Sequence, residues 1–122
     1  MPNSFIFVHA GGSYDQSRWL EITASNPGDC TLHLQDLCHP GQVSHLLKVS
    51  CPIDFMQTFF GHGPLQLTTQ TGYVLLRRRG EFMDIEFRAS GDTSLTRVSV
   101  LLNDVRSRIE EIASGAEALR AA

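Results

Sequence analysis

Lysine is nearly missing from this chain: Lys48 stands alone among ten basic residues in 122. Outside Arg77-Arg78-Arg79 no basic run occurs, and the formal net charge is −3. The basic stripe with which nucleic-acid binders neutralise phosphates is therefore absent, and no nucleic-acid partner is expected. No apolar run approaches the roughly 20 residues that a membrane helix needs, so no membrane partner is expected either. The start, Met1-Pro2-Asn3-Ser4, lacks a positive region, and the apolar stretch after it is too short for a secretion signal. Cysteines number three. An odd count fits free thiols in a reducing compartment better than a disulfide framework. Together these point to a cytoplasmic protein. No internal repeat and no low-complexity stretch appears.

What is present is globular. The chain is 42% hydrophobic and 19% charged, a balance that can bury a core, and 122 residues leave room for a single globular domain spanning 1–122. The densest information lies in residues 73–113. Tyr73-Val74-Leu75-Leu76-Arg77-Arg78 and Glu81-Phe82-Met83-Asp84-Ile85-Glu86-Phe87-Arg88 flank Arg79-Gly80, which reads as a two-residue hairpin loop. In that register Arg78 faces Glu81, Leu76 faces Met83 and Val74 faces Ile85. The two-residue period puts Val74, Leu76, Met83, Ile85 and Phe87 on a core face. Tyr73, Leu75, Arg77, Phe82, Asp84, Glu86 and Arg88 fall on the other.

Ser90-Gly91-Asp92-Thr93-Ser94 is a turn cluster. Two patterns fit 95–102: a strand with Val98, Val100 and Leu102 inward, or the start of a helix. The strand is preferred because Thr96, Val98 and Val100 are β-branched and alternate with Arg97 and Ser99. A helix follows with Val105, Ile109 and Ile112 on one side, for which Asn103 or Asp104 is the natural N-cap.

The first half reads as more sheet: Phe5 to Ala10, Arg18 to Ala24, Cys30 to Leu37 and Val43 to Cys51, with turns at Gly11-Gly12-Ser13, Asn26-Pro27-Gly28-Asp29 and His39-Pro40-Gly41. In the last of these strands Val43, Leu47, Val49 and Cys51 share a side, interrupted by His45. Pro52 suits the first position of a short helix whose apolar stripe is Ile53, Met56 and Phe60, with Phe59 nearby. Gly61-His62-Gly63-Pro64 stops it, and Leu65 to Thr69 offers another strand. The fold class is α+β: an antiparallel, curved or sandwich-like β-sheet with a short middle helix and a C-terminal helix packed on one face.

The chemistry-bearing residues are sparse. Cys30, Cys38, His39 and Cys51, with His33 and His45 near, are candidate zinc ligands, but no closely spaced cysteine pair occurs and Cys30 and Cys51 sit on apolar faces, so no metal is expected. His9-Ala10-Gly11-Gly12-Ser13 is similar to the glycine-rich oxyanion segment of esterases, yet no Gly-x-Ser-x-Gly elbow accompanies it. His62, between two glycines, could act as a general base only with an orienting carboxylate nearby. Arg77-Arg78-Arg79 splits between the two faces of its strand. No catalytic residue and no cofactor is expected.

The mixed face has the composition of a protein-binding surface: Tyr73, Leu75, Phe82 and Leu101, joined by Trp19, ringed by Arg77, Asp84, Glu86, Arg88 and Arg97. The alternative is a sandwich in which the N-terminal strands cover it. The blocks Pro52 to Phe60, Gly72 to Leu76, Asp84 to Phe87, and Val98 to Leu102 with its helix through Ile112 resemble, in their order of element types, the small bacterial toxin-immunity proteins. The resemblance spans about residues 50 to 113 and carries over no binding residue. It implies a non-enzymatic inhibitor that neutralises a cognate toxin by occluding it, with Asp84 and Glu86 meeting a basic partner. Two other readings are a small-molecule-binding module or small enzyme using His9 or His62, and a homodimeric assembly subunit joined through the mixed face.

Overall fold

A computed structural model describes residues 5–10, 13–39, 41–69, 72–88 and 95–121, and of residues 16, 38, 39, 69 and 116–121 the backbone alone. Four strands come first: β1 (Phe5–Ala10), β2 (Ser13–Ala24), β3 (Asp29–His39) and β4 (Gln42–Pro52). Helix α1 (Ile53–His62) follows, then β5 (Leu65–Thr69), β6 (Gly72–Arg79), β7 (Phe82–Phe87), β8 (Thr96–Leu101) and helix α2 (Leu102–Ala121). The strands form one antiparallel sheet in the order β4-β3-β2-β1-β8-β7-β6-β5. Its two edges, β4 and β5, approach each other, so the sheet curls into a nearly closed barrel. The α+β class read from the sequence is the one observed. No helix among the described residues is long and apolar enough to cross a membrane.

The alternation of apolar side chains decides which face is inside. Ile6, Val8, Leu20, Ile22, Cys30, Leu32, Leu34, Val74, Leu76, Met83, Ile85, Phe87, Val98 and Val100 are buried on the concave face. Both helices fill that concavity, α1 through Ile53, Met56 and Phe59, and α2 through Leu102, Val105, Ile109 and Ile112. α1 packs on β4 and β5, and α2 on β2, β7 and β8. The sheet therefore has one layer of helices inside it, and the sandwich alternative does not occur among the described residues.

The chain traces the same path twice. Each half is a four-strand meander whose last strand runs straight into a helix. The first helical amide of each half also bonds back to the turn before the third strand. Ile53 donates to the Gly28 carbonyl and Leu102 to the Glu81 carbonyl, both at 2.8 Å. Gly28 and Gly80 sit in these matching turns with φ of 88° and 62°, a region that only glycine enters without strain. Strands β1 and β8, one from each half, join the two meanders, and among the described residues the paired positions are His9 with Ser99.

Four expectations need correction. The β6–β7 loop is Gly80-Glu81, not Arg79-Gly80, so Arg78 lies opposite Met83, Leu76 opposite Ile85 and Val74 opposite Phe87. Positive φ at Gly80 alone matches a type II′ turn, which wants glycine first rather than second. The slip is two residues, so every side chain keeps its predicted face. Helix α2 begins at Leu102, before Asn103 and Asp104, because its first amide is satisfied by Glu81 instead of a side-chain cap. β2 starts at Ser13 rather than Arg18 and absorbs an irregularity opposite Phe7 and Val8. In β4 a bulge opposite Leu34 and Gln35 turns His45 and Val43 outward, so Val43 is exposed while Val49 and Cys51 stay buried. Residues 95–102 resolve as strand through Leu101. The turn residues Gly11, Gly12, Pro40 and Ser90 to Ser94 lie outside the described residues.

Candidate protein-binding face

With the helices inside, the convex face of the sheet points away from the core. Straight across its middle runs one row built by strand register: Arg77 on β6, Asp84 on β7, Ser99 on β8, His9 on β1 and Tyr14 on β2. On one side of this row lie Leu75, Glu86 and Arg97, opposite one another, with Tyr73 beyond. On the other side lie Arg79, Phe82 and Leu101. Tyr73, Leu75, Phe82 and Leu101 are half-buried, and Arg77, Arg79, Arg88 and Arg97 are exposed.

Asp84 is the buried charge of this face, only 4% exposed. Its carboxylate accepts from Arg79 Nε at 2.9 Å, Arg79 Nη2 at 3.3 Å and the Ser99 hydroxyl at 2.6 Å. Burial works against the charged form. The hydrogen bonds from Arg79 and Ser99 and the charges of Arg79 and Arg97 outweigh it, holding the carboxyl below the usual carboxylate range. Arg79 also stacks on the Phe82 ring, its guanidinium carbon 5.2 Å from the centroid. Glu86 has Arg97 at 4.0 Å. Both acidic groups expected to meet a basic partner thus have an arginine partner within the chain. Arg77 and Arg88, by contrast, have no carboxylate partner among the described residues. The charge that this half of the face turns outward is positive.

Across the β1–β8 seam the face continues. His9 packs edge-on against Tyr14 and Phe82, with ring centroids 4.1 Å and 5.3 Å away, and neither of its buried ring nitrogens has a partner among the described residues. Phe5 packs edge-on against Trp19 at 6.2 Å. Trp19 Nε1 donates to Gln35, Gln35 Nε2 bonds His33 Nδ1 at 3.2 Å, and His33 Nε2 meets His45 Nδ1 at 2.7 Å. A polar chain therefore links three strands on the outer surface.

The residues picked from sequence are only partly brought together. Tyr73, Leu75, Arg77, Phe82, Asp84 and Glu86 form one patch on β6 and β7, and Arg88 follows just beyond β7. Trp19 shares the face but stands three strands from Phe82, about 14 Å at the usual strand spacing. Phe5, Phe7, His9 and Tyr14 belong to the face and were not anticipated. Their place depends on the β1–β8 pairing between opposite ends of the chain, for which local sequence holds no signal.

The other candidates disperse. Cys30 and Cys51 are buried on the concave face while His33 and His45 point outward, and no cluster of three metal-binding side chains exists among the described residues. His39 and Cys38 side chains lie outside the described set. His62 ends α1 in the open, beside a shallow hollow of about 300 Å³ lined by Phe55, Phe59 and Leu65. The arginine triplet splits as expected: Arg77 and Arg79 face outward, while Arg78 reaches the other rim and donates to the Phe60 carbonyl at 2.8 Å, tying down the end of α1. No protein-family model, curated protein or solved structure matches the chain.

Proposed function

We propose that this chain is a non-enzymatic binding protein whose working surface is the convex face of the sheet, centred on Leu75, Phe82 and Leu101. The observation that carries the reading is the combination on that face of half-buried aromatic and aliphatic side chains with a ring of exposed arginines. Tyrosine, phenylalanine and arginine are the residue types that dominate interface energetics, and lysine, nearly absent here, is the type that interfaces avoid. A rigid sheet also presents them at little entropic cost.

In its most specific form the reading is an immunity-type inhibitor: a preformed surface in the cytoplasm that occludes a cognate bacterial toxin. The resemblance in element order supports it. Because Arg79 and Arg97 already hold Asp84 and Glu86, the outward charge calls for acidic groups on the partner rather than basic ones. Bidentate pairing of Arg77 and Arg88 with carboxylates would set the register of docking.

The test is a pull-down from host lysate with the wild type and with an Arg77→Glu, Arg88→Glu double variant, followed by titration of the captured partner. A single stoichiometric partner should bind the wild type, and the double variant should lose at least about tenfold in affinity, about 1.4 kcal/mol. Equal affinity in the two would remove this face from the interface. A dimer by light scattering with no other partner would instead favour self-association through it.

A further inference from the structure

We propose that Cys30 and Cys51 form a reversible disulfide-forming site that clamps edge strand β4 to β3. The two residues are direct cross-strand partners, both are free thiols, and both point into the concave core, 0% and 4% exposed. This site is on the opposite face from the partner surface and stands independently of it.

The pairing geometry brings them close. Ile53 donates its amide to Gly28, its register partner one step beyond the strand pair Asp29 with Pro52. Bonded and non-bonded pairs alternate along an antiparallel ladder. Asp29 with Pro52 is therefore a non-bonded pair, which suits a proline with no amide hydrogen, and Cys30 with Cys51 is a bonded one. The α-carbons of such a pair stand about 5.5 Å apart, inside the range that a disulfide spans. Directly opposed β-carbons usually lie about 4.5–5.5 Å apart, against roughly 3.5–4.5 Å in a disulfide. A hydrogen-bonded pair lies toward the wide end of the first range, so closure draws the β-carbons together by about 1 Å or more and leaves a strained bond. Strained disulfides are the readily reduced ones. The position is thus suited to a bond that forms and reopens.

Local chemistry favours the same sequence of events. The Cys30 thiol donates to the Cys51 sulfur, which holds Cys51 below the usual thiol range and pushes Cys30 above it. Cys51 lies on β4, an edge of the sheet that is hydrogen-bonded to β3 alone and otherwise held by packing against α1 and β5. With a small-molecule disulfide as oxidant, the Cys51 thiolate attacks one of its sulfurs and expels the other as a thiolate. Cys30 then loses its proton and attacks the Cys51 sulfur, expelling the second small thiolate. Two protein thiols become one bond, and the oxidant is reduced to two thiols.

The experiment uses the full chain in a Cys38→Ser background, folded, incubated with oxidised glutathione and read by intact mass and peptide mapping. The expected result is a mass loss of two hydrogens and a peptide linking Cys30 to Cys51, with both thiols regained after dithiothreitol. Thiols that remain free in the folded protein while the urea-unfolded chain forms the bond would overturn the proposal. So would a glutathione adduct that persists on either cysteine, or a bond between two chains.

Discussion

His33 shows how a single side chain on the outer surface can govern the response to acid. One of its ring nitrogens faces Gln35, the other faces His45 at 2.7 Å, and the two imidazole rings stack with centroids 4.7 Å apart. In the His33–His45 contact one nitrogen must accept, so a doubly protonated pair would set two donors against each other. Burial, then the nearby His45 and Lys48, hold the His33 pKa below its usual value, against a smaller opposing pull from Glu21. The unfolded chain keeps an ordinary value of about 6.5. Above that pH the ring is neutral in both states and the pair is intact. As pH falls through 6.5 the unfolded state takes up a proton that the folded state refuses, so stability declines until pH passes below the folded pKa. Urea midpoints measured between about pH 7.5 and 5.5 should fall more for the wild type than for His33→Gln. Identical pH profiles would show that the pair contributes nothing. His33 was visible in the sequence as a polar side chain on an outward face. Its partner His45 showed only as an interruption of the apolar side shared by Val43, Leu47, Val49 and Cys51, and the bulge at Leu46 that turns His45 outward was not legible from that break.

The turns show why elements were legible when their pairings were not. Alternation named the core face of β6, β7 and β8 correctly because an error of two residues leaves parity intact. Which two residues close the β6–β7 turn was not legible, since glycine serves a type I′ turn in the second position and a type II′ turn in the first. That slip hid the Arg79–Asp84 ion pair, because it placed Arg79 in the loop rather than on the outer face. The conformation of Gly80 can be tested without disturbing any packing: a β-carbon added there meets nothing within 4 Å, and the residue has φ of 62°. Gly80→Ala should therefore destabilise by backbone strain alone, about 1–2 kcal/mol. Gly80→Asn should cost less, since asparagine enters that region more readily. Equilibrium urea unfolding of both variants decides it, and an alanine variant as stable as the wild type would rule out the left-handed turn.

At the scale of the whole molecule, the repeated meander-and-helix path raises the question of whether each half is a folding unit. The connectivity between halves argues against it. α2 follows the second meander yet packs on β2 of the first, where Arg108 Nε donates to the Ile22 carbonyl at 2.8 Å. α1 closes the first meander and packs on β5 of the second. The guanidinium of Arg78, on β6, bonds the Phe60 carbonyl at the end of α1, and Arg106 on α2 stacks over the Phe60 ring at 5.4 Å. Either half alone would leave one concave sheet face partly bare and lose its β1–β8 neighbour, exposing apolar surface that both helices together cover. A half of about 60 residues also buries too small a fraction of its surface to absorb that loss. Fragments 1–63 and 64–122 should each lack a cooperative thermal transition, and mixing them should restore near-native circular dichroism in an equimolar complex. Cooperative unfolding of either fragment by itself would mean that the halves are autonomous and that the cross-packing of the helices is incidental. The expected dependence of each half on the other also explains why the joining of the two meanders into one sheet escaped the sequence: its deciding contacts pair β1 with β8, strands from the two ends of the chain, and neither end alone carries a pattern for the partner it meets.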